Sequence, residues 1–405
     1  MELARISNPK AHRREFVSAL ILVFNSLAWY TLTYAMLSNS IKGLQISFSE
    51  QLMLFVAYYI GAGCSAILGS ILFSHMRKIG LLSWVISGAI MTLLSTVIAS
   101  NNMQINVLIC LFIGISIGIG LPSCLAFFAD VTTVENRGSY GGMTYGAVGL
   151  GTLILGVWID TLNVAIGFLA LAILRAFGLL AFFFSTSDGV IGQSRAIPSY
   201  RSILQRREVA LYLIPWIMFS IVNFAGTPIF ERLFGDLRVL MGFIEFALSG
   251  LFALVGGFLA DRVGRKRVVM TGFIMLGVGY AILSFFSSTS ISWYIHTVCD
   301  GIAWGMFAAV FFMTLWGDLA ERYDKAKYYT LGGLPFLLAG ILPIIVEHYT
   351  ETIETVTAFS LASFFLFLAV FPLMFAPETL PEKTIKDREL KVYIDQAKKI
   401  KEKYA

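Results

Sequence analysis

The stretch GGFLADRVGRKRVV, residues 256–269, sets Asp261, Arg262, Gly264, Arg265, Lys266 and Arg267 between two apolar runs, Val239–Leu259 and Arg267–Phe286. Each run has about the 20 predominantly apolar residues that a helix needs to cross roughly 30 Å of hydrocarbon at about 1.5 Å per residue. A loop this short joins neighbouring antiparallel helices whose shared end is basic. The reading is therefore a hairpin through a bilayer, and the rest of the chain extends it.

Ten further runs of similar length follow the same rule: Phe16–Leu37, Gln51–Ser74, Ile79–Ala99, Asn106–Ala129, Gly142–Asp160 and Val164–Ser185, then Val209–Phe230, Ile291–Trp316, Thr330–Tyr349 and Thr355–Ala376. The composition agrees, with 57% apolar and 14% charged residues against roughly 45–50% and about 25% in an average soluble domain. Phe16–Leu37 is too long for a signal-peptide core and has no small-residue cleavage site after it, so it reads as a retained helix. Cys64, Cys110, Cys124 and Cys299 all fall inside the runs, without metal-ligand or redox spacing. No metal or cofactor is expected.

With the N-terminus placed in the cytoplasm, about 26 of the 30 Lys and Arg residues fall on one side, the asymmetry of the positive-inside rule. The net charge of +5 then reports topology and gives no reason to expect a nucleic-acid partner. A polar stretch, Ser187–Glu208, divides the chain six plus six. A shift of 188 residues brings the halves into register: Gly69 onto Gly257, Arg77 onto Arg265, Lys78 onto Lys266, Asp130 onto Asp318, Arg137 onto Lys325 and Tyr140 onto Tyr328. All six pairs lie at basic helix ends, which argues for a repeated six-helix unit of the kind that rocks around a central site.

On these residues the loop at 256–269 resembles the signature loop of the major facilitator superfamily, and the likeness extends from Phe16 to Ala376. The resemblance implies that Gly257, Asp261, Arg262, Gly264, Arg265 and Lys266, with Asp130, Arg137 and Asp318, form a cytoplasmic gate that latches while the protein faces outward. Chemically, Gly257 permits close helix packing, Gly264 a tight turn, and Asp261 can accept hydrogen bonds at a neighbouring helix N-terminus or pair with a cation. The matching first-half loop has Phe73 where the acid should stand, so the second half is expected to carry the stronger lock. Asp130, Arg137-Gly138 and Ala376-Pro377-Glu378-Thr379 resemble elements of the sugar-porter or general substrate transporter branch. The paired glutamines of hexose carriers are missing, which makes the likeness one of ancestry more than of substrate. Gly142, Gly146, Gly149, Gly151 and Gly156 on the fifth helix read as a packing face.

Ionisable residues at membrane depth are functional candidates by default. Arg175 lies roughly 16 Å from the outer end of its helix, Asp300 about 13 Å, Glu245 about 10 Å and His296 about 8 Å, at about 1.5 Å per residue. His296, Asp300 and Trp304 follow at intervals of four and share one face. Asp300 is expected to titrate or to bind substrate charge, with His296 as a relay, unless Asp300 is a structural partner of His296 or of a neighbouring helix. Glu245 is a second coupling acid or the counter-charge of a structural pair, and Arg175 a packing residue or an anion contact. Asn25 and Asn223 are candidates for hydrogen bonds to a solute or between helices. The segment from Lys386 to Tyr404 has helical amphipathic spacing suited to an anionic membrane surface.

The expectation is an all-α membrane protein with twelve transmembrane helices in two six-helix bundles, residues 16–186 and 209–376. A cytoplasmic N-terminus (1–15), a linker (187–208) and an amphipathic tail (377–405) complete it. It is read as a monomeric secondary transporter of a small molecule in the plasma or inner membrane, driven by protons and working by alternating access. An uncoupled uniporter and a sensor that binds without translocating are the alternatives. No enzyme activity is expected.

Overall fold

This computed structural model describes residues 9–74, 77–98, 102–184, 197–320, 323–381 and 390. Among them twelve helical spans are long and apolar enough to cross a membrane, labelled here α1 (Arg13–Lys42), α2 (Phe48–Leu72), α3 (Arg77–Val97), α4 (Met103–Val131), α5 (Arg137–Asp160), α6 (Val164–Phe184), α7 (Arg207–Phe234), α8 (Leu240–Val263), α9 (Arg265–Phe286), α10 (Ser290–Leu319), α11 (Ala326–Thr352) and α12 (Thr355–Phe375). Each matches one run of the sequence, with ends shifted by a few residues. The chain is an all-helical, multi-pass membrane protein. Its outside carries exposed apolar side chains such as Phe183, Phe285, Ile154 and Phe371, and its main-chain groups bond within each helix, as hydrocarbon requires.

At the face opposite the basic loops, side chains cap the three helices of the first half that begin there. Ser47 forms a capping box with Glu50 at α2, while Asn102 and Asn163 accept amide hydrogens at the starts of α4 and α6. These caps satisfy donors that the first helical turn leaves open.

Two equivalent seams join the first six spans to the last six: α5 runs along α8, and α2 runs along α11. At the α5–α8 seam glycines remove the side chains that would hold the helices apart. A Cβ on Gly257 would stand 2.2 Å from the Gly138 carbonyl oxygen and 2.8 Å from the Gly142 Cα. On the α2–α11 seam the neighbours of Gly63 are leucines, Leu334 and Leu338, so the backbones stand further apart.

Several spans are interrupted in mid-course. α4 breaks at Ile119–Gly120, α10 passes through one π-helical stretch, Ala308–Phe312, and α11 breaks at Gly340–Ile341. Gly120 abuts the Trp84 ring and Gly340 the Tyr59 hydroxyl, and a Cβ at either would collide with its neighbour. Irregular backbone at membrane depth survives where protein or a cavity covers it.

The segment between α6 and α7 differs from a plain linker. Tyr200–Leu204 is a short helix, and α7 begins at Arg207 instead of Val209. Tyr200 and Ser70 share a hydrogen bond of 2.5 Å, and Lys327 Nζ donates to the Pro198 carbonyl at 2.9 Å. Burial pushes the Tyr200 phenol above its ordinary value. The amphipathic tail from Lys386 to Tyr404 lies outside the described residues apart from Leu390.

Candidate functional site

At the basic face the residues paired by the 188-residue shift meet in two sets. In one, Arg265 Nε donates to Asp318 at 3.0 Å, and Arg137 donates to the other oxygen of the same carboxylate. In the other, Arg77 donates to Asp130 at 2.5 Å and Lys325 donates to it at 2.8 Å. Each set therefore holds one cation from its own half and one from across the interface. All six side chains are buried, where Coulomb attraction is little screened.

A further acid completes each set. Asp261 accepts the amide hydrogens of Gly138 at 2.9 Å and Ser139 at 2.6 Å, in the first turn of α5, and lies 3.1 Å from Arg265. Its charge faces the positive end of the α5 dipole. The 188-residue shift places Phe73 where the other set would need this acid. Asp324 takes its place, accepting from the Ala326 amide at 3.0 Å at the start of α11 and from Arg77 at 2.6 Å. The acid missing from the first-half loop is thus supplied from the opposite half.

The segment after α12 folds back on the same loop. Glu378 accepts from the amides of Arg265 at 2.8 Å and Lys266 at 3.2 Å, Thr379 donates to Asp318 at 3.3 Å, and Tyr212 donates to the Pro377 carbonyl at 2.7 Å. Gly264 has φ +103°, a conformation that favours glycine, and a Cβ there would lie 2.2 Å from a Glu378 oxygen. Lys266 Nζ donates to the Met374 carbonyl at 2.7 Å. Arg262 stands apart, exposed, with its guanidinium 3.9 Å from the centre of the Phe258 ring.

Away from this face lie two adjoining cavities. The larger, about 270 Å³, sits between the first and last six spans, with Tyr30, Tyr34, Tyr59 and Tyr145 on one side and Trp304, Phe312, Tyr329 and Phe336 on the other. Tyr59 donates to Tyr34 at 2.6 Å. The smaller, about 160 Å³, lies within the last six spans and is lined by Asn223, Thr227, Arg238, Glu245, Tyr280, His296, Thr297, Asp300 and Trp304, with Phe230 and Phe234. Glu245 and Trp304 belong to both walls.

Inside the small cavity two acids from different helices, Asp300 on α10 and Glu245 on α8, line the same wall. Glu245 lies 3.5 Å from Arg238. His296 is packed between the Phe230 and Tyr280 rings, at 4.8 and 4.9 Å between centres.

Five of the sequence candidates thus come together: Asp300, His296, Glu245, Trp304 and Asn223. Arg175 and Asn25 line neither cavity. Arg175 is fully buried in the first six spans, donating to Asn25 at 3.0 Å and Ser26 at 2.9 Å, with its guanidinium between the Trp29 and Trp84 rings at 4.4 and 4.1 Å. Asn25 in turn donates to the Leu174 carbonyl at 2.6 Å. This is the packing arrangement that the sequence offered as one of two readings of Arg175. The sequence reading missed Arg238 as a neighbour of Glu245, Asp324, and the tyrosines Tyr59, Tyr145 and Tyr329. Only Asp324 left a signal, as an acid adjoining a register position, Lys325.

No family model matches the chain. The dipeptide and tripeptide permease A of Pectobacterium carotovorum subsp. carotovorum (strain PC1) is 31% identical over 134 residues, 31% of this chain. The match spans only a quarter of the permease's length. Among solved structures, the human organic anion transporter MFSD10 (TETRAN) superposes with a TM-score of 0.67 at 15% identity, covering 91% of this chain and all of that one. The major facilitator superfamily transporter FucP, in the outward conformation, superposes with a TM-score of 0.65 at 13% identity over 89% of this chain and 98% of its own. These likenesses share one fold, and they do not single out the sugar-porter branch.

Proposed function

We propose that this chain, which has the major facilitator fold, is a secondary transporter whose larger cavity binds a small solute and opens alternately to each side of the membrane. The supporting observation is positional. The cavity lies between the two six-helix groups, while the buried ion pairs that join those groups all lie at the basic face. In this reading the basic face is cytoplasmic, as the positive-inside rule requires, and the two charge sets are the inner gate in its closed state. Opening inward separates Arg77 from Asp324, Lys325 from Asp130 and Arg137 from Asp318. At the opposite face the ion pairs between the two groups, among the described residues, are the exposed contacts of Lys42 with Glu231 at 3.8 Å and Glu347 at 3.6 Å, and exposed pairs hold weakly.

Proton coupling belongs to the same reading. Glu245 at the wall of the substrate cavity and Asp300 behind it are two acids on different helices, and a proton bound there changes its access whenever the cavity does. Reconstituted into liposomes with a trapped pH dye, the protein is offered dialanine, L-fucose, glutarate and 1-methyl-4-phenylpyridinium. The expected result is that one class of solute moves and shifts the internal pH as it does so. Solute movement indifferent to an imposed pH gradient ends the coupling proposal. Tight binding with no flux for any bound solute favours a sensor.

A further inference from the structure

We propose that the larger cavity is a site for a monovalent organic cation with an aromatic or apolar body, and that this cation and a proton compete for the Glu245–Asp300 pair. The proposal rests on the transport reading for the word substrate, whereas the binding site itself does not need it.

The first ground is the charge of the wall. Among the described residues lining the cavity Glu245 alone carries a formal charge, with no Lys, Arg or His. A carboxylate ligand would enter beside Glu245 with no cation on the cavity wall to receive it. A cation meets a carboxylate whose side chain is 27% exposed.

The second ground is the aromatic lining. Ring faces are negative and ring edges positive, so rings around a cavity stabilise a cation and give an anion nothing equivalent. Rings stand on both sides of the space, Tyr30, Tyr34 and Tyr145 facing Trp304, Tyr329 and Phe336. They also suit a flat apolar body.

The third ground is that the wall has unused hydrogen-bonding capacity. Thr152, 6% exposed, and Trp304 both line the cavity, and neither Thr152 Oγ1 nor Trp304 Nε1 has a partner. Buried polar groups left open in this way call for a ligand or water.

Competition follows from counting charges behind the wall. Arg238 precedes α8 and Glu245 lies on it, Tyr280 comes from α9, His296 and Asp300 from α10, and α7 contributes the neutral Asn223 and Thr227. Two carboxyls face one guanidinium, and His296 is enclosed between the Phe230 and Tyr280 rings, so the cluster has room for one more positive charge. A proton between Glu245 and Asp300 fills that place, and so does a ligand cation at Glu245. Occupancy by one disfavours the other, which makes the exchange of a cation for a proton the natural cycle.

The test uses the full chain in lipid nanodiscs and three matched probes: 1-methyl-4-phenylpyridinium, neutral 4-phenylpyridine and biphenyl-4-carboxylate. Calorimetry should show the cation binding best and the carboxylate not at all. Cation affinity should rise about tenfold from acid to alkaline pH, as competition from protons falls away. Glu245→Gln should lose about tenfold or more in cation affinity and abolish that pH dependence. Carboxylate binding as tight as the cation's, or cation affinity indifferent to pH, overturns the proposal. The wild-type comparison of charges needs no variant, so a misfolded Glu245→Gln leaves it decisive. Cation binding without flux would sink the transport reading and leave this site standing, and flux of another solute without cation binding would do the reverse.

Discussion

The two charge sets at the basic face are alike in plan and different in origin. Arg77–Asp130–Lys325 and Arg265–Asp318–Arg137 map onto each other through one shift of 188 residues, yet the acid that completes them does not. Asp261 ends α8 and reaches across to the α5 amides, whereas Asp324 precedes α11 and caps it from its own half. Both carboxylates nonetheless do the same two things, holding an arginine of the first-turn type and offering negative charge to a helix N-terminus. What the repeat preserves is where the charge stands in space, and a sequence position can be vacated if another side chain reaches the same point. The seams differ in the same sense: glycines let α8 approach α5 closely enough for Asp261 to touch its amides, while the leucine-packed α2–α11 seam is served by an acid already on α11.

The largest effect should come from Asp318→Ala. It strips the carboxylate from Arg137 and Arg265, which are 2% and 0% exposed, and breaking a buried pair from one side costs about 3–5 kcal/mol. A lower melting temperature in detergent and faster labelling of a cysteine placed at Ser139 are expected. Unchanged labelling would show that these pairs do not hold the face shut.

Asp130→Ala should act in the same direction with a smaller effect. Its partners Arg77 and Lys325 are slightly more exposed, at 6% and 4%. An effect equal to or larger than that of Asp318→Ala would reverse the ranking of the two sets. Asp324→Asn should come next, at about 1–2 kcal/mol, because the amide oxygen can still accept from Ala326 and only the charge opposite Arg77 is lost. A loss as large as that of Asp130→Ala would mean that the helix cap also fails.

How much of this was readable in advance follows from the range of each interaction. The twelve spans are local: some twenty apolar residues declare a membrane helix whatever surrounds them. The register of the halves was readable because charged residues are rare enough for coincidences at one offset to stand out. Asp324 escaped because it breaks that offset. The cavity wall escaped for a different reason, since lipid and an aromatic cavity both favour apolar side chains, and the pattern along a helix does not say which face looks inward. Depth alone made Arg175 and Asp300 equal candidates. Packing separates them: Trp29 and Trp84 enclose Arg175, while Glu245, on a different helix, brings Asp300 to a cavity.

The sharpest test of the comparison restores the missing acid. Phe73 packs its ring over Gly80, so Phe73→Asp in the otherwise unchanged chain loses that contact and sets a second carboxylate beside Asp324. A modest destabilisation should follow. In an Asp324→Asn background the new carboxylate stands where the repeat would place it, beside Arg77 and the first amides of α11, and it replaces the lost charge. The same substitution should therefore become neutral or stabilising there, with a coupling of about 1 kcal/mol between positions 73 and 324. A double-mutant cycle of melting temperatures measures this directly. Additive effects would mean that Asp324 is no stand-in for the vacated position, and that the two sets share their three cations and acids without sharing the logic of the fourth.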